Sequence, residues 1–177
     1  EDWWTRGIDN LIDETGLITV AGVGNGSEAY DPLLYPGASA NVIGVGVVDS
    51  AMSTDMLSGL NNFSLPLAIH SSGGPTGDGR CKPDMVAPGN CLVPTEDGES
   101  EYDISGDYTS FAAPVVSGTT ALLVQKAKTT QSLSKALANN NGNCVMKAIL
   151  MTSADKLPGW HKGEQTEDDD NEMPLDW

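Results

Sequence analysis

Residues 41–49, NVIGVGVVD, constrain the fold of this chain more than any other stretch. From Val42 to Val48 every position is apolar, and all but the two glycines are β-branched. A strand with one wet face alternates apolar and polar side chains. A strand apolar on both faces belongs to a parallel sheet covered by helices. LITVAGVG (17–24) is a second run of the same kind, closed by a Gly-Asn turn signal.

Helical patterns flank these runs. Trp4, Ile8, Leu11 and Ile12 recur at helical spacing within residues 3–15, and Gly16 fits the stop. From Ser110 to about Lys128 the chain reads as a helix, apolar nearly all round in its first half through Ala112, Ala113, Val115, Val116, Ala121, Leu122 and Leu123. Such a helix is expected at the centre of the domain. Pro114 is tolerated only close to a helix start, which puts Ser110 at the N-terminus. CVMKAILMTSAD (144–155) reads as a further helix with Val145, Ala148, Ile149 and Thr152 inward. The intervening TTQSLSKALANNNGN is a polar connection with room for one short helical turn. Residues 71–91 are dense in Gly and Pro and read as loop, with DMVAP as a brief strand. Helix alternating with buried strand gives an α/β fold with a parallel sheet.

The chain is 177 residues long with a net charge of −16, nine Lys and Arg against 25 Asp and Glu. That length suits one domain. The charge argues against nucleic acid and anionic membrane surfaces, whose phosphates are held by Lys and Arg. No run approaches the roughly 18 apolar residues of a spanning helix. The start, EDWWTRGIDN, lacks the basic and apolar regions of a signal peptide and an initiator Met, so the chain reads as a processed piece. Cys81 and Cys91 are spaced to close a short loop in an oxidising compartment, leaving Cys144 unpaired; three separate thiols fit the sequence equally.

Three places carry residues suited to chemistry. AGVGNGS (21–27) follows a strand, but a dinucleotide loop needs Gly where Ser27 stands and a helix where the turn-rich EAYDPLLYPG follows. A glycine turn explains it better, except for Asn25. An amide at the carboxyl end of a strand lies where ligands bind in open sheets and can donate to a developing oxyanion. Ser110 reads as an N-cap or as a nucleophile; small neighbours and the positive end of a buried helix favour negative charge beside it. His70 and His161 have no evident partner and read as ordinary loop histidines. The acidic run EQTEDDDNE lacks the spacing and glycine of an EF-hand loop and reads as a solvated face.

Several of these stretches, in this order, resemble the subtilisin-like serine proteases. They are ITVAGVGNGS, YPGASANVIGVGVVDS, SSGGPTGDGRCKPDMVAPG, TSFAAPVVSG and VMKAILMTSAD. The resemblance implies a subtilisin-like α/β fold, a mainly parallel sheet flanked by helices, present here as a partial domain. Residues 1–160 correspond to its C-terminal portion and residues 161–177 to an acidic loop or tail of the same domain. It further implies Ser110 as nucleophile, Asn25 as oxyanion donor beside the Ser110 N–H, and Gly22 and Gly24 as walls of the substrate pocket. The reaction implied is peptide hydrolysis through an acyl-enzyme on a protein or peptide substrate. No cofactor is required for that chemistry; the family allows structural calcium, for which the sequence locates no site. Secretion is implied by the family alone.

In that family the order is Asp, His, Ser, with the first two upstream of the oxyanion strand. Neither motif occurs in these residues, so the N-terminal half of the domain is the expected partner, and the 177 residues alone are expected to be inactive. Tyr108 stands where the family has Gly, and Val115 where it often has His. Tyr108 and the missing half together support a second reading, an inactive pseudoprotease or interaction domain of the same fold.

Overall fold

The computed structural model describes residues 3–26, 35–50, 63–66, 71–73, 75–89, 91–94, 102–104, 106, 108–138 and 140–156. In chain order the elements are α1 (Trp3–Thr15), β1 (Val20–Gly22), β2 (Ile43–Ser50), β3 (Phe63–Pro66), β4 (Met85–Pro88), β5 (Leu92–Val93), β6 (Asp103–Ile104), α2 (Thr109–Thr129), α3 (Gln131–Ala136) and α4 (Gly142–Ser153).

β2 is the axis of the sheet. It pairs in parallel with β1, Val45 facing Gly22, and in parallel with β4, Val45 facing Met85. One residue cannot face two partners on one side, so β1 and β4 flank β2. By the same reasoning at Val48, antiparallel β3 lies on the β1 side, beyond the end of β1. β5 and β6 form a separate antiparallel pair. Parallel pairing on both sides of an apolar strand is the arrangement its sequence predicts.

Ile43, Val45 and Val47 point to one face of β2 and pack with Ala87, Ala112, Val116 and Leu150 in the core. Each fully buried Val, Ile or Leu there contributes roughly 1.5–3 kcal/mol. α2 lies against β1, β2 and β4, with α3 and α4 beside it. The uniform apolarity of α2 predicted burial all round. The helix instead buries a single stripe of Thr109, Ala112, Val116, Thr120 and Ala127, while Val115 is 46% exposed and Leu122 67%. Between the C-terminal half of α2 and residues 17–20 lies an open cleft of about 690 Å³, lined by Leu17, Val20, Ala121 and Val124 among others.

Two further faces differ from expectation. α4 buries Asn143, Met146 and Leu150, not the stripe of Val145, Ala148, Ile149 and Thr152. Both stripes obey helical spacing in a segment apolar on most sides. The choice falls to tertiary contacts: Leu150 enters the core, and Asn143 Nδ2 donates to the Asn41 carbonyl at 2.5 Å. In α1, Ile12 is buried, but Trp4 and Leu11 are half exposed. The Trp4 ring stacks near Trp3 and Tyr35 instead of entering the core. α1 is held by polar contacts, the Asp9 carboxylate accepting the N–H groups of Ala40 (3.1 Å) and Asn41 (2.8 Å). It stops at Gly16, whose φ of 68° suits glycine.

A charged cluster fastens β2, β4 and α4 together. Lys82, 2% exposed, meets Asp84 at 2.6 Å and donates to the Val42 carbonyl at 2.7 Å. Lys147 on α4 meets the other Asp84 oxygen at 2.8 Å and donates to the carbonyls of Ala40 (2.9 Å) and Val42 (3.1 Å). The Gly44 N–H completes the shell of Asp84 at 2.7 Å. Burial pushes the Lys82 ammonium down from its usual value to about 8, with Asp84 pulling the other way. Cys81, Cys91 and Cys144 are all free thiols, so the Cys81–Cys91 loop closure is not made.

Candidate active site

The site begins where β1 ends. Past Gly22 the chain runs through buried Val23 and Gly24 to an exposed Asn25. Gly24 has φ 116°, which a residue with a side chain rarely adopts. This turn directs Asn25 toward the N-terminus of α2. Gly22 allows the approach: a Cβ there would lie 2.7 Å from the Thr109 hydroxyl.

The N-terminus of α2 then takes an unusual cap. Tyr108 occupies the capping position in extended geometry, and its side chain makes no capping bond. The Thr109 N–H, with no acceptor in its own helix, donates instead to Asn25 Oδ1 at 2.8 Å. The Thr109 hydroxyl donates to the same oxygen at 2.9 Å. A backbone N–H can only donate, so the atom facing it must be the amide oxygen and the orientation of Asn25 is fixed by chemistry. The Asn25 NH₂ group is thereby left as a donor with no hydrogen bond among the described residues.

Ser110, the next residue, is exposed in the first turn of α2. It is not the cap, because the helix has already begun at Thr109. Neither its N–H nor its hydroxyl is hydrogen-bonded among the described residues. Pro114 lies further into α2 than a helix-start position, so the N–H it lacks is the one that would have reached the Ser110 carbonyl. Tyr108 turns its ring over Gly106, where a Cβ would lie 2.5 Å from the ring edge, and the residue stays 40% exposed.

The arrangement is thus one hydroxyl and two N–H donors without an acceptor among the described residues, Ser110 N–H and Asn25 Nδ2, at the positive end of a long helix. Such a group can bind a carbonyl oxygen as it gains negative charge while a hydroxyl attacks its carbon. Ser110, Asn25 and Gly22 meet around Thr109, and Gly24 shapes the turn between them. Thr109 escaped the sequence reading as a site residue; its place beside Ser110 and its two donor groups were the available signal. His70, His161 and the acidic stretch 161–177 lie outside the described residues. Among the described residues, no group of three or more His, Cys, Asp or Glu side chains could hold a metal ion.

A mainly parallel α/β sheet with an exposed serine at the N-terminus of its central helix defines the class to which this chain is compared. The chain belongs to the subtilase family, whose sequence model matches residues 3–172. It is 33% identical over 156 residues to the subtilisin-like protease SBT6.1 of Arabidopsis thaliana, covering 87% of this chain and 14% of that protein. Against the membrane-bound transcription factor site-1 protease of Homo sapiens it is 32% identical over 162 residues, covering 89% of this chain and 14% of that protein. Among solved structures, the prenylagaramide maturation protease PagA matches with TM-score 0.58 at 23% identity, over 89% of this chain and 48% of that one. The likeness to PagA establishes the fold. The chain spans about one-seventh of the length of these two relatives, 14% in each case.

Proposed function

We propose that these residues carry the nucleophile and oxyanion half of a serine endopeptidase centre. Ser110 Oγ attacks the carbonyl carbon of a peptide bond, and its proton passes to a histidine held in the preceding half of the domain, oriented there by an aspartate. The carbonyl oxygen, now negative, is held by the Ser110 N–H and Asn25 Nδ2. The tetrahedral adduct collapses, the amine leaves with the proton from histidine, and water releases the acyl group from Ser110. Gly22 and Gly24 present bare backbone to the substrate beside the serine. No step calls for a metal or organic cofactor.

One observation carries this reading. Asn25 gives its oxygen to both donors of Thr109, and among the described residues its NH₂ and the adjacent Ser110 N–H have no acceptor, next to an exposed hydroxyl. A purely structural asparagine at a helix start has no need of that surplus. The family supplies protein or peptide as substrate class. Export of the parent protein, by secretion or on a membrane, rests on the family alone; among the described residues no helix is long and apolar enough to cross a bilayer.

The test is peptide hydrolysis by the full-length protein and by the 177-residue chain. Ser110→Ala in the full-length protein should lower kcat by about 10⁶-fold, the magnitude known for subtilisin itself. The 177 residues alone should show no turnover, because the proton acceptor is not among them. Full-length protein that hydrolyses no peptide, with its upstream Asp and His present, would favour the pseudoprotease reading.

A further inference from the structure

We infer that Ser72 is a positioning residue for the oxyanion donor, a latch that closes on the Asn25 turn from both sides. The inference rests on the reading of Asn25 given above. Ser72 is 2% exposed and lies 47 positions along the chain from Asn25. Its backbone N–H donates to the Gly24 carbonyl at 2.9 Å. Its hydroxyl accepts the Gly26 N–H at 3.2 Å. The residues before and after Asn25 are therefore both tied to one serine, while the Asn25 side chain is left to Thr109 and to solvent.

The anchor behind the latch is the sheet itself. Among the described residues β1 ends at Gly22 and β3 meets β2 from Val48, and no strand residue pairs with Val47 on the β1 side of β2. The Ser71 hydroxyl fills that gap, accepting the Val47 N–H at 3.2 Å. Val47 is fully buried in the core. The Ser71–Ser72 pair thus transmits the position of a rigid central strand to a turn whose own residues are Gly24, Asn25 and Gly26. A turn with two glycines has little stiffness of its own. An oxyanion donor must stand within a few tenths of an ångström of its place to act on the transition state.

Catalysis therefore depends on Ser72 through Asn25, and a double-mutant cycle reads that dependence. In the full-length enzyme, kcat and KM are measured on a peptide p-nitroanilide chosen with the wild type. Ser72→Ala removes the hydroxyl and keeps the N–H bond. It should lower kcat about 10-fold with KM unchanged and the unfolding midpoint lowered no further than the loss of one hydrogen bond accounts for. In an Asn25→Ala background the same substitution should have no further effect. A drop that persists undiminished without Asn25, a parallel rise in KM, loss of folding, or an unchanged kcat would each overturn the latch. If Asn25→Ala itself leaves kcat unaltered, it is the oxyanion reading that fails, and the two failures are told apart. Amide exchange in the full-length protein gives an activity-independent check: Ser72→Ala should speed exchange at Gly26 and leave Val45 as it was. Equal protection of Gly26 in both forms would overturn the proposal.

Discussion

Two polar networks among the described residues, one around Asp84 and one around Asn25, are built in opposite ways. Around Asp84 the bonds close on one another: two ammonium groups and the Gly44 N–H donate to one carboxylate inside the fold, and the same ammonium groups donate to the carbonyls of Ala40 and Val42. Around Asn25 the bonds stop short. The side-chain oxygen is used twice, by Thr109, while the Asn25 NH₂, the Ser110 N–H and the Ser110 hydroxyl have no partner among the described residues. A closed network holds elements together and has nothing left to offer a ligand. An open one contributes little to folding and keeps its donors for whatever approaches.

Breaking the closed network should unfold the chain without reference to chemistry. Asp84→Ala leaves Lys82 and Lys147 buried together without a counter-charge. The expected loss is about 3–5 kcal/mol, read as a lower urea midpoint. A loss below about 1 kcal/mol would mean that the cluster behaves as a surface pair. Breaking the open network should do the reverse. Asn25→Ala in the full-length enzyme should lower kcat by about 10²- to 10³-fold, a magnitude taken from the oxyanion asparagine of subtilisin. Its urea midpoint should shift far less than that of Asp84→Ala.

A substitution at the junction sharpens the contrast from the packing side. Gly22→Ala places a methyl 2.7 Å from the Thr109 hydroxyl and must displace the contact that fixes Asn25. It should cost about 1–3 kcal/mol in stability and reduce kcat as well, combining both signatures in one variant.

Titration separates the networks further. Because burial holds Lys82 at about 8 in the folded chain against 10.5 when unfolded, the unfolded chain binds more protons between these values. Stability should therefore rise with pH across that window, by on the order of 2–3 kcal/mol, and Lys82→Met should abolish the rise. The smallest effect is at Asp78, whose carboxylate is lowered from 3.8 to about 2 by the Thr76 hydroxyl and then by Arg80. Its contribution is present above pH 4, about the unfolded value, and should fade as the pH falls through about 2. Comparing the acid unfolding of the wild type with that of Asp78→Asn isolates it.

Much of this was readable from residues 41–49 and 109–129. A strand apolar on both faces had to lie inside a parallel sheet, and β2 does. Ser110 does stand in the first turn of α2, although Pro114, from which that place was read, lies deeper in the helix than a start position. What periodicity could not give was the choice between equivalent faces. Met146 and Leu150 lie inward because the core meets that side of α4, while the spacing of Val145 and Ile149 fits as well. Nor could it foresee that the apolar outer face of α2, at Val115 and Leu122, would be exposed. The polar networks were hidden for a different reason. Lys82 and Asp84 stand two apart in KPD, but Lys147 joins them 63 residues beyond Asp84, and Ser72 reaches the Asn25 turn from 47 positions along the chain. Such partners become visible only when the strands are in place.

The central claim is that Ser110 is a nucleophile, and covalent labelling tests it most directly. The full-length protein is treated with a fluorophosphonate, digested, and the modified peptide identified by mass spectrometry. The account predicts a single adduct on Ser110, absent in Ser110→Ala and formed more slowly in Asn25→Ala. An unlabelled Ser110 in folded full-length protein with its histidine and aspartate intact, or an adduct on another serine that persists in Ser110→Ala, would contradict it.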